Sequence, residues 1–277
     1  MMHSRQNDIM TTLQVKSSID PAAEMRERIN FLKAYLKKSG MTGYVLGISG
    51  GQDSTLAGKL IQMAVSELNE EERGAAFVFY GLRLPYGEQA DEDDAAKAID
   101  YIKPDRTFTV NVKPAVDASA EQFKQASGES LSDFVKGNTK ARERMKVQYD
   151  FAGEHKLLVA GTDHAAEAVT GFYTKFGDGA CDVAPLFGLT KTQGKQLLDE
   201  LGAPSLFSEK APTADLESDR PQLTDEEALG VSYDDIDAYL QGEAVSDKAA
   251  ETIESWYGKT EHKRQMPVTP FEHWWQH

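Results

Sequence analysis

A short segment rich in glycine and hydroxyl side chains, residues 46–55, is the part of the sequence best suited to chemistry. It reads Leu-Gly-Ile-Ser-Gly-Gly-Gln-Asp-Ser-Thr and lies between a predicted strand and a predicted helix. Glycines let the backbone approach an anion, and the unpaired N–H groups at a helix start attract one. The segment has neither the Gly-Lys-Ser/Thr end of a Walker loop nor the Gly-x-Gly-x-x-Gly spacing. It predicts a phosphate-binding turn of another kind, with an ordinary capped turn as the alternative.

Asp53 is the residue of this segment with the clearest chemical consequence. A carboxylate beside bound phosphates repels them unless a cation joins the two, and Mg²⁺ favours oxygen ligands of this kind. The position of Asp53 at the start of the predicted helix therefore predicts a nucleotide phosphate site that also binds magnesium.

Strand and helix patterns alternate along residues 20–201 and place the glycine-rich segment at the end of a strand. Asp20 and Pro21 begin the first predicted helix, and Gly40 ends it. Strands joined by helices of this length predict an α/β fold, a doubly wound parallel sheet with helices on both faces. The predicted strands span 43–48, 75–82, 106–112 and 156–160, and the later helices span 56–68, 88–102, 131–149 and 190–201, with another from Pro114.

The last third of the chain has a different pattern. Residues 205–224 are polar and contain prolines, which predicts an irregular loop. Helical patterns resume from about residue 225 and form a C-terminal helical part. No linker separates it from the rest, so a single domain over residues 1–277 is the simplest prediction.

The charge of the chain argues against several partners. Its 45 acidic and 30 basic side chains give a formal net charge of −15, which repels phosphate backbones. We expect neither nucleic-acid nor membrane binding, and no apolar run approaches the roughly 20 residues of a membrane span. The polar start lacks the apolar core of a signal peptide. We therefore expect a cytoplasmic protein, whose single cysteine, Cys181, forms no internal disulfide.

Six blocks of sequence resemble one group of enzymes. Residues 49–54 (SGGQDS) are similar to the loop of the ATP pyrophosphatases, an adenine nucleotide α-hydrolase-like group whose members split ATP into AMP and pyrophosphate. Five further blocks, in order along the chain, are similar to ammonia-dependent NAD synthetases. They are 137–145 (GNTKARERM), 161–168 (GTDHAAEA), 171–179 (GFYTKFGDG), 211–216 (APTADL) and 260–264 (TEHKR).

The resemblance implies a ligase that catalyses the final step of NAD biosynthesis. ATP adenylates the nicotinate carboxylate of deamido-NAD, pyrophosphate leaves, and ammonia displaces AMP to give NAD. A free carboxylate reacts poorly with an amine because its leaving group would be oxide, and AMP is a better one. The resemblance also implies a Rossmann-like fold and a homodimer, for which we expect the helix over 132–149 to form part of the interface. No length is left for a glutaminase domain, so we expect free ammonia as the nitrogen donor.

The same resemblance implies the residues of the site. Asp53 and Lys191 are expected in catalysis, and Asp53, Glu167 and Thr213 as ligands of Mg²⁺. ATP is expected to contact Gly47, Ile48, Ser49, Gly50, Gly51, Gln52, Asp53, Ser54, Thr162, Lys191 and Thr213. Deamido-NAD is expected to contact Arg142, Lys175, Asp182, His262 and Lys263.

Several of these residues also have simpler interpretations. Asp182 could cap a turn rather than bind ribose, and a histidine near the C-terminus, such as His262, is ordinarily just exposed. Phe172 or Tyr35 could stack on the pyridine ring, although core packing is the simpler expectation for each. Cys181 is expected to be a passive small residue. The general base stays open between Asp182 and a phosphate oxygen.

Two other functions fit part of the sequence. The same ATP chemistry on tRNA, or in a GMP-forming enzyme, would need a basic surface or an appended domain. A non-catalytic adenine-nucleotide sensor would need the glycine-rich segment but not Asp53, Glu167 and the cationic residues together. For the enzyme, we expect residues 83–87 and 205–224 to become ordered around ATP, because an acyl-adenylate must be shielded from water.

Overall fold

A sheet of four parallel strands forms the centre of the protein, whose computed structural model describes residues 4–72, 74, 76–87, 92–209 and 225–276. The strands are β1 (Gly43–Gly47), β2 (Val78–Arg83), β3 (Arg106–Thr109) and β4 (Leu157–Val159). Their order in the sheet is β3-β2-β1-β4. The chain thus moves outward from β1 to β3 and then returns to the other side of β1. Doubly wound sheets bind ligands where the strand order reverses in this way, here beyond the ends of β1 and β4.

Helices surround this sheet and continue to Arg264, and a short 3₁₀ helix over Trp274–Gln276 follows. In chain order they are α1 (Ser4–Thr12), α2 (Pro21–Ser39), α3 (Gln52–Glu71), α4 (Glu92–Ile102), α5 (Lys113–Ser127), α6 (Asp133–His155), α7 (Ala165–Thr170), α8 (Lys191–Glu200), α9 (Leu206–Glu209), α10 (Asp225–Leu229), α11 (Tyr233–Leu240), α12 (Asp247–Lys259) and α13 (Glu261–Arg264). None of the described helices is both long enough and apolar enough to cross a bilayer.

Alternate residues of β1 belong to two separate cores, as the period of a strand requires. Tyr44 and Leu46 are buried in a cluster with α2, α3, α4 and α8. Val45 is buried on the opposite face, in a cluster with α5 and α6. Helices therefore cover both faces of a parallel sheet, which confirms the predicted α/β, doubly wound fold.

A third apolar cluster joins the two ends of the chain. Ile9 and Leu13, in and just after α1, pack with α7, α11 and α12 around the buried residues Ile236 and Ile253. Neither α1 nor α7 is among the helices that the sequence pattern predicts. Helices of nine and six residues are too short to form in isolation and are stabilised by this packing.

The observed elements differ from the predicted ones mainly at their ends. β2 begins at Val78, because the backbone N–H and C=O of Phe77 are bonded to the side chain of Asn69 on α3. The loop predicted over 205–224 begins with the short helix α9, and residues 210–224 lie outside the described residues. α6 extends to His155, beyond its predicted end.

Candidate active site

The glycine-rich turn connects β1 to α3 at the carboxyl edge of the sheet. Gly50 has a φ of +83°, and a Cβ atom there would lie 2.5 Å from the backbone carbon of Asp94, so only glycine fits. The backbone N–H of Gly47 donates to Oε1 of Gln148 at 2.8 Å. The hydroxyls of Ser49 and Ser54 lie 3.1 Å apart. The turn is thus held from several sides, as a preformed phosphate site requires.

Four ionisable side chains meet beside this turn. Nζ of Lys191 donates to Oδ2 of Asp53 at 2.7 Å. Nε2 of His164 lies 3.6 Å from Oδ1 of Asp53 and 3.8 Å from Oε1 of Glu167. Asp53 and Lys191 come from the first turns of α3 and α8, while His164 caps α7 and Glu167 lies in its first turn. The structure therefore brings together three residues predicted for the site, together with His164.

Burial and charge shift the pKa values of this cluster in opposite directions. Burial alone would raise the pKa of Asp53, but the charges of Lys191 and His164 outweigh it and hold that pKa well below its usual range. Burial raises the pKa of Glu167 to about 8, although His164 opposes the shift. The neighbouring charges thus favour the ionised form of Asp53 and burial favours the protonated form of Glu167, whereas a bound cation would favour ionisation of both.

The donor atoms of this cluster fit a divalent cation. One donor atom each of Asp53, His164 and Glu167 lies within 4.8 Å of the other two. The carboxylate oxygens are the ligand type that Mg²⁺ prefers. Both ring nitrogens of the buried His164 lack a hydrogen-bond partner within the described protein, as does Oδ1 of Asp163. Thr213, the third predicted ligand, lies outside the described residues.

The backbone of Lys191 is fixed from two sides. Asp237 on α11 accepts hydrogen bonds from the N–H groups of Lys191 and Thr192, at 3.1 and 2.6 Å. Nε2 of Gln52 donates to the carbonyl oxygen of Lys191 at 2.9 Å. The ammonium group lies 5.5 Å from the centre of the Tyr233 ring, one turn before Asp237. The C-terminal helices thus position a side chain that acts at the edge of the sheet.

Replacing Asp237 with alanine is expected to lower kcat about tenfold, because a small displacement of a positioned group is costly in catalysis. The two partly buried N–H groups lose a charged acceptor, so the free energy of unfolding is expected to fall by about 2 kcal/mol. Steady-state kinetics and urea unfolding measure the two effects. Asp235→Ala is the matched control on the same helix, because the side chain of Asp235 accepts a hydrogen bond from Ser232 rather than from the start of α8. Wild-type kcat in Asp237→Ala would contradict the positioning role.

Three of the five residues predicted to contact deamido-NAD lie close together, in the segment after α7 and on α13. Nζ of Lys175 donates to the carbonyl oxygens of His262 and Gln265. Nζ of Lys263 donates to those of Gly171 and Tyr173, at 2.8 and 2.7 Å. The segment after α7 is therefore tied to α13, which brings Lys175, His262 and Lys263 together.

Arg142 lies on α6, which contacts the segment of Lys175 through the hydrogen bond of 2.7 Å from Thr174 to Asn138, and Asp182 follows β4. Arg142 is exposed on α6. Asp182 is exposed too, and its Oδ2 accepts a hydrogen bond from the N–H of Val159 at 2.8 Å. Asp182 therefore accepts a backbone hydrogen bond at β4, as a capping residue does. Its Oδ1 lies 3.5 Å from the hydroxyl of Tyr149. Thr162 is half-buried between β4 and α7.

The two aromatic residues considered for ring stacking have different surroundings. Phe172 packs against the third apolar cluster, as expected for a core residue. Tyr35 is 40% exposed and its ring centre lies 6.2 Å from that of Phe31, which is also exposed. The expectation of core packing is therefore wrong for Tyr35.

Cys181 packs against the backbone of the loop after β4. A Cβ atom on Gly161 would lie 2.7 Å from its sulfur, and burial raises the pKa of the thiol to about 11. The thiolate fraction at neutral pH is then about 10²-fold lower than for an ordinary cysteine, so we expect iodoacetamide to label Cys181 about 10²-fold more slowly than glutathione. The rate should rise with pH up to about 11. Rapid labelling at pH 7, absent in Cys181→Ser, would show that the thiol is reactive.

Sequence reasoning missed two residues of the site, His164 and Asp237. His164 lies inside the block 161–168 that carried part of the resemblance, three residues before Glu167. This spacing places both side chains on one side of a helix start, so the signal was present. Asp237 had none, because it contacts Lys191 across 46 residues of chain.

The parallel sheet, its glycine-rich turn and the charged cluster beside it define a nucleotide-binding α/β protein. Within that class, the chain belongs to the NAD synthase family, whose family model matches residues 24–267. It is 64% identical over 271 residues to the NH(3)-dependent NAD(+) synthetase of Halalkalibacterium halodurans, covering 98% of this chain and 100% of that protein. The corresponding protein of Pectobacterium atrosepticum is 60% identical over 274 residues, covering 99% of this chain and 100% of that protein.

Solved structures show the same relationship. The NAD⁺ synthetase of Burkholderia pseudomallei is similar with a TM-score of 0.82 and 45% identity, covering 95% of this chain and 97% of that one. The NMN synthetase of Francisella tularensis is similar with a TM-score of 0.79 and 33% identity, covering 92% of this chain and 100% of that one. The fold is therefore shared by proteins whose names refer to different products.

Proposed function

We propose that the glycine-rich turn and the Asp53 cluster catalyse the ATP-dependent amidation of deamido-NAD by ammonia. The chain is then a C–N ligase, an ammonia-dependent NAD synthetase, which forms NAD and releases AMP and pyrophosphate. The observation that carries this proposal is the contact of 2.7 Å between Lys191 and Asp53 beside the turn. Adenylation brings a carboxylate and a triphosphate together, so the reaction needs positive charge at this point.

The reaction has two steps with a shared acyl-adenylate. A carboxylate oxygen of the nicotinate ring attacks the α-phosphorus of ATP, and the bond to pyrophosphate breaks. Ammonia then attacks the carbonyl carbon, AMP leaves with the electron pair of the broken C–O bond, and the nitrogen loses a proton. In the first step, N–H groups and hydroxyls of residues 47–54 hold the phosphates at the start of α3. This turn is preformed, so little reorganisation is needed during reaction.

Asp53 and Glu167 would hold Mg²⁺, with Thr213 as a further proposed ligand outside the described residues. When bound there, the ion neutralises phosphate charge and stabilises the charge that develops on the leaving pyrophosphate. Lys191 contributes its positive charge to the same place. Its hydrogen bond to Oδ2 of Asp53 holds the ammonium in position before nucleotide binds, and its remaining N–H groups are donors for ATP. Thr162 is proposed as a further ATP contact.

The group around α13 is proposed to bind the dinucleotide. Lys263 makes two hydrogen bonds to carbonyl oxygens, which leaves one of the three N–H donors of an ammonium for a substrate acceptor. Lys175 also donates to two carbonyl oxygens and keeps one N–H donor for a substrate. His262, whose carbonyl oxygen accepts one of these bonds, is exposed. We propose Arg142 and Asp182 as further contacts.

A second candidate substrate is nicotinate mononucleotide, because one of the similar structures is an NMN synthetase. The reacting carboxylate is the same in both substrates, so only contacts with the second nucleotide can discriminate between them. The test is to supply ATP, Mg²⁺ and ammonium with either substrate, and to measure NAD with alcohol dehydrogenase and NMN by chromatography. We expect kcat/KM to be at least about 10²-fold higher for deamido-NAD, since remote contacts contribute to the transition state. A preference for the mononucleotide would overturn the proposed substrate.

We further propose that the enzyme is a cytoplasmic homodimer. Large apolar side chains are exposed on α2 and at the start of α6. The sequence predicts that α6 forms part of the dimer interface. The exposed side chains include Phe31, Tyr35, Phe134 and Val135. Apolar surface of this kind is typical of protein–protein contacts. Sedimentation of the purified chain at micromolar concentration tests the proposal, which a persistent monomer would contradict.

A further inference from the structure

His164 is buried without the partners that a buried imidazole needs. Its relative exposure is 2%, and neither Nδ1 nor Nε2 has a hydrogen-bond partner in the described protein. A buried polar atom left without a partner lowers the stability of a fold. The described residues therefore leave the hydrogen-bonding capacity of this ring unused.

Nε2 lies between two carboxylates, a position that suits a divalent cation in place of the proton of the ring. It lies 3.6 Å from Asp53 and 3.8 Å from Glu167, which is beyond the range of a hydrogen bond. Donor atoms that surround one ion at about 2.1 Å lie about 3.0–4.2 Å apart, and the three here lie within 4.8 Å of one another. The two distances from Nε2, 3.6 and 3.8 Å, fall within that range.

Lys191 does not compete for the same oxygen atom. It bonds to Oδ2 of Asp53, whereas Nε2 of His164 faces Oδ1. Asp53 can therefore bind an ion through one oxygen and hold Lys191 through the other. The carboxylates alone would suit Mg²⁺, but an imidazole ligand favours first-row transition metals.

We propose that Nε2 of His164 is an additional protein ligand of the metal site, and that this nitrogen makes the nucleotide-free protein select a divalent transition metal over Mg²⁺. The proposal rests on the metal role proposed above for Asp53 and Glu167, and adds a nitrogen donor to it. Without nucleotide, Asp53, His164 and Glu167 supply the protein ligands and water the rest. His164 thus sets which ion the site holds between turnovers.

The test uses the full-length, nucleotide-free protein with Mn²⁺ alone. Electron paramagnetic resonance of free Mn²⁺ gives the affinity, and competition with Mg²⁺ gives the preference. Electron spin-echo modulation then reports any nitrogen bonded to Mn²⁺. We expect one histidine nitrogen, an isotope-dependent signal when the protein contains ¹⁵N-histidine, and a preference for Mn²⁺ of at least about tenfold. The isotope measurement needs no substitution, so it does not depend on the folding of a variant.

Substitutions assign the nitrogen to one residue. His164→Asn is expected to lose the modulation and to weaken Mn²⁺ binding about tenfold, with a smaller effect on Mg²⁺. His155→Asn is the matched control. The ring of His155 is exposed and contacts Tyr80 on β2 and Phe151 on α6, outside the proposed metal site. The proposal is overturned if Mn²⁺ does not bind, binds without nitrogen modulation, or keeps the modulation in His164→Asn.

Failure here is distinguishable from failure of the proposed function. NAD formation with Mg²⁺ and ATP is measured on the same preparation. If NAD forms while Mn²⁺ shows no nitrogen ligand, this inference is wrong and the proposed function stands. If the nitrogen ligand is present but deamido-NAD is not amidated, the proposed function is wrong and the metal site stands.

Discussion

Asp53→Asn lowers the rate of NAD formation by about 10³-fold or more, which is the largest effect that we expect from a single substitution. Asparagine has nearly the same shape but lacks the charge that binds a cation and pairs with Lys191. The loss should appear in kcat even at saturating ATP and deamido-NAD, because the charge acts on the developing pyrophosphate. Coupled detection of NAD measures it.

Unfolding must be separated from this loss of activity. Asp53 and Lys191 are only 18% and 15% exposed, so removal of one charge leaves the other poorly compensated, at a cost of about 3 kcal/mol. The variant should therefore be assayed at a temperature where circular dichroism shows it folded. Asp199→Asn removes an exposed carboxylate from α8 and should keep wild-type activity. Full activity in folded Asp53→Asn would remove Asp53 from the proposed mechanism.

The sequence predicted those parts of the structure whose signals are local. The buried strand before Gly47 is a continuous apolar run, and the turn after it is marked by glycines, so β1, α3 and the position of Asp53 followed from neighbouring residues. The short helix α7 did not, because six residues carry too little periodicity to be recognised. Its position depends instead on the packing of its alanines in the third apolar cluster.

The site was predicted as a set of residues but not as a geometry. The resemblance named Lys191 and Asp53, yet nothing in the sequence showed that they bond to each other across 138 residues. Lys263 could be seen as a charge near the C-terminus, but not that it donates to the carbonyls after α7. Such contacts join residues that are distant in the chain, so they are determined by tertiary packing.

The net charge of −15 gives little information about the site. Net charge describes the electric field far from the protein. Salt screens the interaction between exposed charges over about 10 Å, so a phosphate at the site responds mainly to the charges close to it. Beside the turn, the ammonium group of Lys191 and the start of α3 provide positive charge. Local positive charge is therefore compatible with an acidic protein that binds anionic substrates.

Lys191→Met is expected to lower kcat by about 10²-fold, since it removes one positive charge from the adenylation step but leaves the carboxylates for Mg²⁺. Methionine is unbranched and apolar, so it fills similar space over the ring of Tyr233. Lys191→Arg keeps the charge and should recover part of the activity. Equal rates for the methionine and arginine variants would show that charge at this position does not matter.

The stability of Lys191→Met provides a second, pH-dependent test. In the wild type, Lys191 helps to hold the pKa of Asp53 below its unfolded value, so this carboxylate stabilises the fold at neutral pH and the contribution is lost only in strong acid.

Without Lys191, burial acts with less opposition and raises the pKa of Asp53. The ionised carboxylate then destabilises the variant at pH 7, and protonation relieves the penalty as the pH falls through the raised pKa. We therefore expect urea unfolding to show a loss of about 3 kcal/mol at pH 7 and a smaller loss at pH 5. Equal losses at both pH values would mean that Asp53 does not depend on Lys191 for its ionisation.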